Sequence, residues 1–327
     1  MKKVKALVLF SGGLDSILTA KILMEQEIKV FPIFFKSYFF GPEIAQKSAK
    51  EIELKLKVFD ISREQLEIVK KPKFGYGQSM NPCLDCHILM LKKAKELMKG
   101  NSHGRIRISR AKRGLRFLHA DFVATGEVLG ERPMSQNKRA LELVEKESSL
   151  SGYLLRPLSA KLLKPTISEE KGLVNREKLL DIKGRSRKGQ IELAKRFKIS
   201  FYPTPAGGCL LTDLEFGKKL KELFEKYPKC QGGDIELLKI GRHFWEGKIK
   251  IIVGRSRQEN LKMKKLAKKG DILIEMENYP GPTTLIRNYY KKKKISEKIL
   301  EKAKSLTKFY STKTRDKKDV RFKIWKK

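Results

Sequence analysis

Ser11-Gly12-Gly13-Leu14-Asp15-Ser16 separates two apolar segments of different period. Before it, Val4-Lys5-Ala6-Leu7-Val8-Leu9-Phe10 has the length and composition of a buried strand. After it, Ile17, Leu18, Ala20, Ile22, Leu23 and Met24 recur at helical spacing. A strand, a tight Gly-Gly turn and a helix start together make an anion site. The glycines allow close approach to the backbone, amide N–H groups point outward, and the helix N-terminus favours negative charge. Ser11 and Ser16 add hydroxyl donors, and Asp15 is suited to hold Mg²⁺ or to orient a nucleophile. No Gly-Lys-Ser/Thr follows, so this is not a Walker loop, nor is it GxGxxG. The competing reading is an ordinary β-turn-α connection.

The pattern continues outward from that turn. Val30–Phe35 reads as a second strand, Glu43–Leu56 as an amphipathic helix and Lys57–Ile61 as a third strand. Asp121–Gly126 reads as a fourth strand ending in a glycine turn, Asn137–Glu147 as a helix and Tyr153–Leu158 as a fifth strand. Such alternation implies an α/β fold, a doubly wound parallel sheet with helices on both faces. Ligands of these sheets bind at the carboxyl ends of the strands, where Ser11–Ser16 falls.

Composition limits the partners. Of 327 residues, 74 are Lys or Arg and 37 Asp or Glu, a net charge of +37 that makes nucleic acid the default partner. No apolar run approaches the roughly 20 residues of a membrane span. The start of the chain has no export signal, so a cytoplasmic location is expected. With four cysteines, a disulfide framework is not expected; metal or sulfur chemistry is.

Cys83 and Cys86 follow Asn81-Pro82, a natural N-cap and first helical residue. Both thiols would lie on the first turn of a helix, whose dipole favours thiolates. Cys83-Leu84-Asp85-Cys86-His87 also matches the c-type haem pattern, which requires an exported protein and is set aside. Structural zinc on Cys83, Cys86, Cys209 and either Cys230 or His243 is a rival, as is a pair of buried cysteines without function. Residues 101–119 carry six Arg or Lys, no acid and no sustained period. They read either as an RNA-contacting insertion or as a local anomaly of the sequence.

The SGGxDS turn resembles the PP-loop ATP pyrophosphatases, a family with an adenine nucleotide alpha hydrolase-like fold. That resemblance implies ATP gripped by Ser11, Gly12, Gly13, Asp15 and Ser16, with Gly126 closing the adenine side. Asn81–Cys86 and Asp121–Gly126 resemble segments of the tRNA 2-thiouridylases, although Glu127 stands where their DxVATGH strand has histidine. A CxxC pair with a distant third cysteine is similar to the iron–sulfur-dependent tRNA thiolases. This implies a 4Fe–4S cluster on Cys83, Cys86 and Cys209, with Asp15 and the three cysteines as catalytic residues; persulfide-type thiolases instead use two cysteines. The resemblance covers roughly residues 1–210.

Gly247–Ser256 with Glu259-Asn260, and Lys269–Glu275 leading to Tyr279–Pro282, resemble the NFACT-R RNA-binding module. From His243 onward the chain holds 26 Lys or Arg against nine Asp or Glu. The expected organisation is an ATP-binding and thiolation domain over 1–212, a helix and linker over 213–234, and a smaller basic α+β domain over 235–327. The expected activity is ATP-dependent sulfur transfer to a uridine of tRNA through an adenylated base. Its partners would be tRNA, a sulfur donor (sulfide or a persulfide carrier protein) and, optionally, a second copy in a homodimer. The alternatives are a lysidine-type or amide-forming PP-loop ligase, and a non-catalytic RNA-binding factor.

Overall fold

A computed structural model describes residues 3–99, 119–204, 209–290 and 294–327 of the chain. They form two compact units, Met1–Asp213 and Leu214–Lys327.

The first unit opens with β1 (Lys5–Leu9) and α1 (Leu14–Met24), then β2 (Lys29–Lys36), α2 (Glu43–Glu51), β3 (Lys57–Asp60) and α3 (Ser62–Lys70). It continues through α4 (Cys83–Lys99), β4 (Phe122–Thr125), α5 (Lys138–Glu147), β5 (Leu154–Leu155), α6 (Ile167–Glu170) and α7 (Lys188–Arg196). The strands lie in the order β3-β2-β1-β4-β5, and every pairing is parallel. Alternation along β1 divides the core. Ala6 and Val8 pack on one face with α1, α2 and α7, while Leu7 packs on the other with Ile88, Leu91 and Ala94 of α4. Helix α1 is buried nearly all round, as its uninterrupted apolar composition requires. The chain runs outward from β1 through β2 to β3, then returns to place β4 on the other side of β1. That reversal opens a crevice at the carboxyl ends of β1 and β4.

Local differences from the sequence reading have local causes. Helix α2 stops at Glu51, and Glu53 adopts a left-handed φ of 58°, which ends the helix short of Leu56. The fifth strand shrinks to Leu154–Leu155 because Arg156 turns inward to a carboxylate. Helix α3 was not expected; its apolar face amounts to Leu66 and Val69. The basic stretch 101–119, apart from His119, lies outside the described residues, as does Pro205–Gly208.

The second unit comprises α8 (Leu214–Lys226), α9 (Gly232–Leu238), β6 (Arg242–Glu246), β7 (Ile249–Val253), α10 (Arg257–Leu266), β8 (Ile272–Met276), β9 (Thr284–Asn288), α11 (Glu297–Phe309) and β10 (Phe322–Lys326). Its sheet is antiparallel, in the order β10-β8-β9-β7-β6. Residues 214–234, read as helix and linker, fall inside this unit. One reason is Asp234 in α9, which accepts hydrogen bonds from Arg287 and Tyr289 at 2.8 and 3.0 Å. Arg287 also donates to Asp271, and all three charges are buried.

Candidate active site

Ser11–Ser16 forms the β1–α1 turn, held by its own hydroxyls. Ser16 Oγ donates to Gly13 O at 2.8 Å and accepts from the Gly12 N–H at 3.1 Å, while Ser11 Oγ accepts from the Gly13 N–H at 3.3 Å. From α2, Ser48 Oγ donates to Gly12 O at 2.8 Å. Gly12 has φ +82°, and a Cβ there would lie 2.6 Å from Ala45 Cα, so only glycine fits. Gly126, at the end of β4, approaches equally closely: a Cβ on it would lie 2.6–2.7 Å from the Asp15–Ser16 backbone. The crevice is therefore narrow at this point, and the first-turn N–H groups of α1 have no partner within the helix.

Of the residues expected at the site, all but Gly12 line one cavity of about 770 Å³. Gly12 lies beneath it, against α2. Asp15 is half-buried, and its Oδ1 has no hydrogen-bond partner among the described residues. Burial raises the Asp15 pKa, and the opposing charges of Arg187 and Arg132 only partly compensate. Glu131 is raised as well, first by burial and then by the Asp15 charge. An orphaned carboxylate oxygen beside a second carboxylate fits a divalent cation, which Asp15 would hold.

The same cavity receives Cys83, Cys86 and Cys209, three of the four free thiols. Their environments differ. Burial works against ionisation of Cys83, but His87 outweighs it, with help from Ser135 and Arg132, and brings the thiol down to about 7. Cys86, 6% exposed, accepts from Gln65 Nε2 at 3.2 Å; burial pushes it up to about 12. Burial likewise carries Cys209 up to about 11. The expectation that the helix start would favour both thiolates is corrected at Cys86, where desolvation exceeds the dipole. Among the described residues no group of three His, Cys, Asp or Glu side chains is placed to hold a metal ion. Three thiols suit the chemistry of the expected 4Fe–4S cluster, but their placement does not. Cys83 is engaged with His87 and Cys86 with Gln65.

Sequence reading missed the partners of Cys83. His87 Nε2 lies 3.8 Å from Cys83 Sγ, and His87 Nδ1 lies 3.0 Å from Glu127 Oε1. Glu127 Oε2 accepts from Thr125 Oγ1 at 2.9 Å and from Arg156 Nε at 3.0 Å. Arg156 is itself held by Glu145 and by Leu141 O. The i,i+4 spacing of Cys83 and His87 was a visible signal; the sheet alone brings Glu127 to them. Arg132, Gln136 and Arg187 were also missed, as isolated polar residues in loops without a period.

The comparisons with known proteins agree with this division. Residues 2–161 match the profile of the family described as Thiamine biosynthesis protein (ThiI), and residues 241–327 that of the NFACT protein RNA binding domain. No curated protein matches by sequence. Among solved structures, a 4-thiouridine synthetase–RNA complex with bound ATP is 15% identical, covering 72% of this chain and 52% of its own, with a TM-score of 0.37. The chain thus spans about half the length of that relative. A predicted tRNA methyltransferase subunit from Methanocaldococcus jannaschii is 19% identical, over 47% of this chain and 67% of its own, at TM-score 0.32. The U34-tRNA thiolase NcsA from Methanococcus maripaludis, which contains a [4Fe-4S] cluster, is 16% identical over 80% of each chain, at TM-score 0.28. In this protein a ThiI-family domain is followed by an NFACT-type RNA-binding domain.

Proposed function

We propose that this protein uses ATP to transfer sulfur to a uridine of tRNA. The observation that carries the reading is the single cavity shared by the phosphate turn Ser11–Ser16 and three thiols. A kinase-like site needs the first and not the second; a structural cysteine cluster needs the second and not the first. ATP phosphates would lie on the first-turn amides of α1, with Arg132 facing them from the opposite wall. Asp15 would hold Mg²⁺, which supplies charge neutralisation at the phosphates. The uracil carbonyl oxygen attacks the α-phosphate, pyrophosphate leaves, and sulfur from the cysteine wall then displaces AMP. The target base must leave its stack to reach the cavity, and Lys and Arg on the RNA-binding domain hold the backbone.

The test is product analysis with ATP and tRNA. The expected products are AMP and pyrophosphate in amounts matching the thiouridine formed, and Asp15→Ala should abolish them without unfolding the chain. Release of ADP and orthophosphate would refute the reading. Mass spectrometry of tRNA nucleosides from a deletion strain would identify the modified uridine.

A further inference from the structure

The three cysteines of the cavity are not equivalent, and the difference is geometric. Glu127 is 6% exposed and takes Arg156 and Thr125 on one carboxylate oxygen, leaving the other to His87 Nδ1. An ionised carboxylate only accepts, so Nδ1 carries a proton and donates it. The remaining ring nitrogen, Nε2, is therefore the one that exchanges protons, and it faces Cys83 Sγ at 3.8 Å. Arg156, anchored by Glu145, fixes Glu127 from behind. Neither other sulfur in the cavity has such an arrangement. Cys86 has only the Gln65 amide, a hydrogen-bond donor, and Cys209 lies beside the backbone of its own turn.

We infer that Cys83 is the sulfur-accepting nucleophile of the cavity and that His87, positioned by Glu127 and Arg156, exchanges its proton. The inference deepens the sulfur-transfer reading and rests on it. It also accounts for the poor fit of a three-cysteine cluster, because Cys83 Sγ is already committed to an imidazole. The donor class is a persulfide, R–S–SH. The Cys83 thiolate attacks the outer sulfur, a new S–S bond forms at Cys83, and the donor S–S bond breaks. The departing R–S⁻ keeps the electron pair and takes the proton from His87, leaving as R–SH. His87 then accepts the proton of the new Cys83 persulfide, which remains as an anion paired with imidazolium. No net oxidation occurs.

Several other groups face this pair. Cys86 and Asp85 lie on the same helix. Glu127 and Arg132 come from the β4–α5 connection, Arg156 follows β5, and Cys209 comes from the far wall. Arg132 and His87 favour the thiolate, whereas burial and the neighbouring thiols oppose it. The cationic side prevails and places Cys83 near 7.

The experiment is timed alkylation of the full chain with iodoacetamide from pH 5 to 10, with the rate at each cysteine read by peptide mass spectrometry. Cys83 should react first, with a midpoint near pH 7, and at least tenfold faster at that pH than Cys86 or Cys209. His87→Gln should move the Cys83 midpoint to the ordinary thiol range near 8.5 and slow its reaction at pH 7 roughly tenfold. Glu127→Gln should shift it in the same direction by less. Incubation with cysteine persulfide should add one sulfur to Cys83. Equal rates at the three cysteines in the unaltered chain would overturn the inference even where no variant folds. So would a profile unmoved in His87→Gln, or stoichiometric iron shielding all three thiols. Alkylation needs neither ATP nor tRNA, so it fails or succeeds independently of pyrophosphate release.

Discussion

The two glycines of the Ser11–Ser16 turn make opposite predictions when each is replaced by alanine. Gly12 has φ +82°, which costs a side-chain-bearing residue about 1–2 kcal/mol. Its new Cβ would also lie 2.6 Å from Ala45 Cα, 2.8 Å from Ala45 N and 3.0 Å from Ile44 C, all backbone of α2. Backbone cannot rotate away, so α2 must shift, an overpacking cost of about 1–3 kcal/mol. Together these give roughly 2–5 kcal/mol, and a unit of this size loses about 2–4 °C in Tm per kcal/mol. Gly12→Ala should therefore lower the melting temperature of the first unit by roughly 4–20 °C. Gly13 has φ −73° and ψ 161°, open to any residue, and its Cβ would meet only Ser11 Oγ at 3.5 Å. Gly13→Ala should leave stability within about 0.5 kcal/mol of the parent. Because Gly13 lines the cavity, its methyl would instead occupy phosphate space, and pyrophosphate release should fall at least tenfold. Calorimetry and a pyrophosphate assay on both variants decide the matter. Equal melting temperatures would refute the account of the turn. Full activity in Gly13→Ala would move the phosphates elsewhere.

Three further outcomes are expected. Arg287→Leu strands Asp234 and Asp271 as buried carboxylates and should destabilise the second unit by about 3–5 kcal/mol, read by urea denaturation. Lys250, 2% exposed beneath the Trp245 ring, is lowered to about 7, chiefly by burial. The unfolded chain binds that proton up to about pH 10.5, so the second unit should gain stability as pH rises from about 7 toward 10.5. Lys250→Met should raise stability at pH 7 and flatten that rise. A chain ending at Asp213 should bind tRNA more weakly than the full chain and with a shallower salt dependence, since neutralising fewer phosphates releases fewer counterions; an unchanged slope would give the second unit another task.

Much of the fold could be read locally. Strand β1, the Gly-Gly turn and α1 are consecutive, so their periods and turn chemistry appear in one window of sequence. Asn137 shows the same legibility on a smaller scale: it was placed at the start of its helix, and its Oδ1 caps α5 by accepting from the Ala140 N–H at 2.8 Å. Boundaries were less legible where a long-range interaction set them, as at Arg156, whose pairing with Glu127 ends β5 after two residues. Residues 214–234 show the limit at domain scale. They read as a helix and a polar linker, yet the buried Arg287 draws Asp234 into the second unit from 53 positions away.

The site divides in the same manner. The phosphate turn is a property of six adjacent residues, and the CxxC pair a property of four, so composition and spacing were enough to find both. The chemical state of the thiols is not local. Cys83 and Cys86 share one turn of one helix and would be equivalent if its dipole alone acted on them. The parallel order β1-β4-β5 sets Glu127 and Arg156 behind His87, and that charge draws the Cys83 proton away. Cys86, three residues on, faces into the protein, and burial holds its proton in place. Helical spacing determines which residues share a turn; burial and charges brought from distant strands determine how each one ionises.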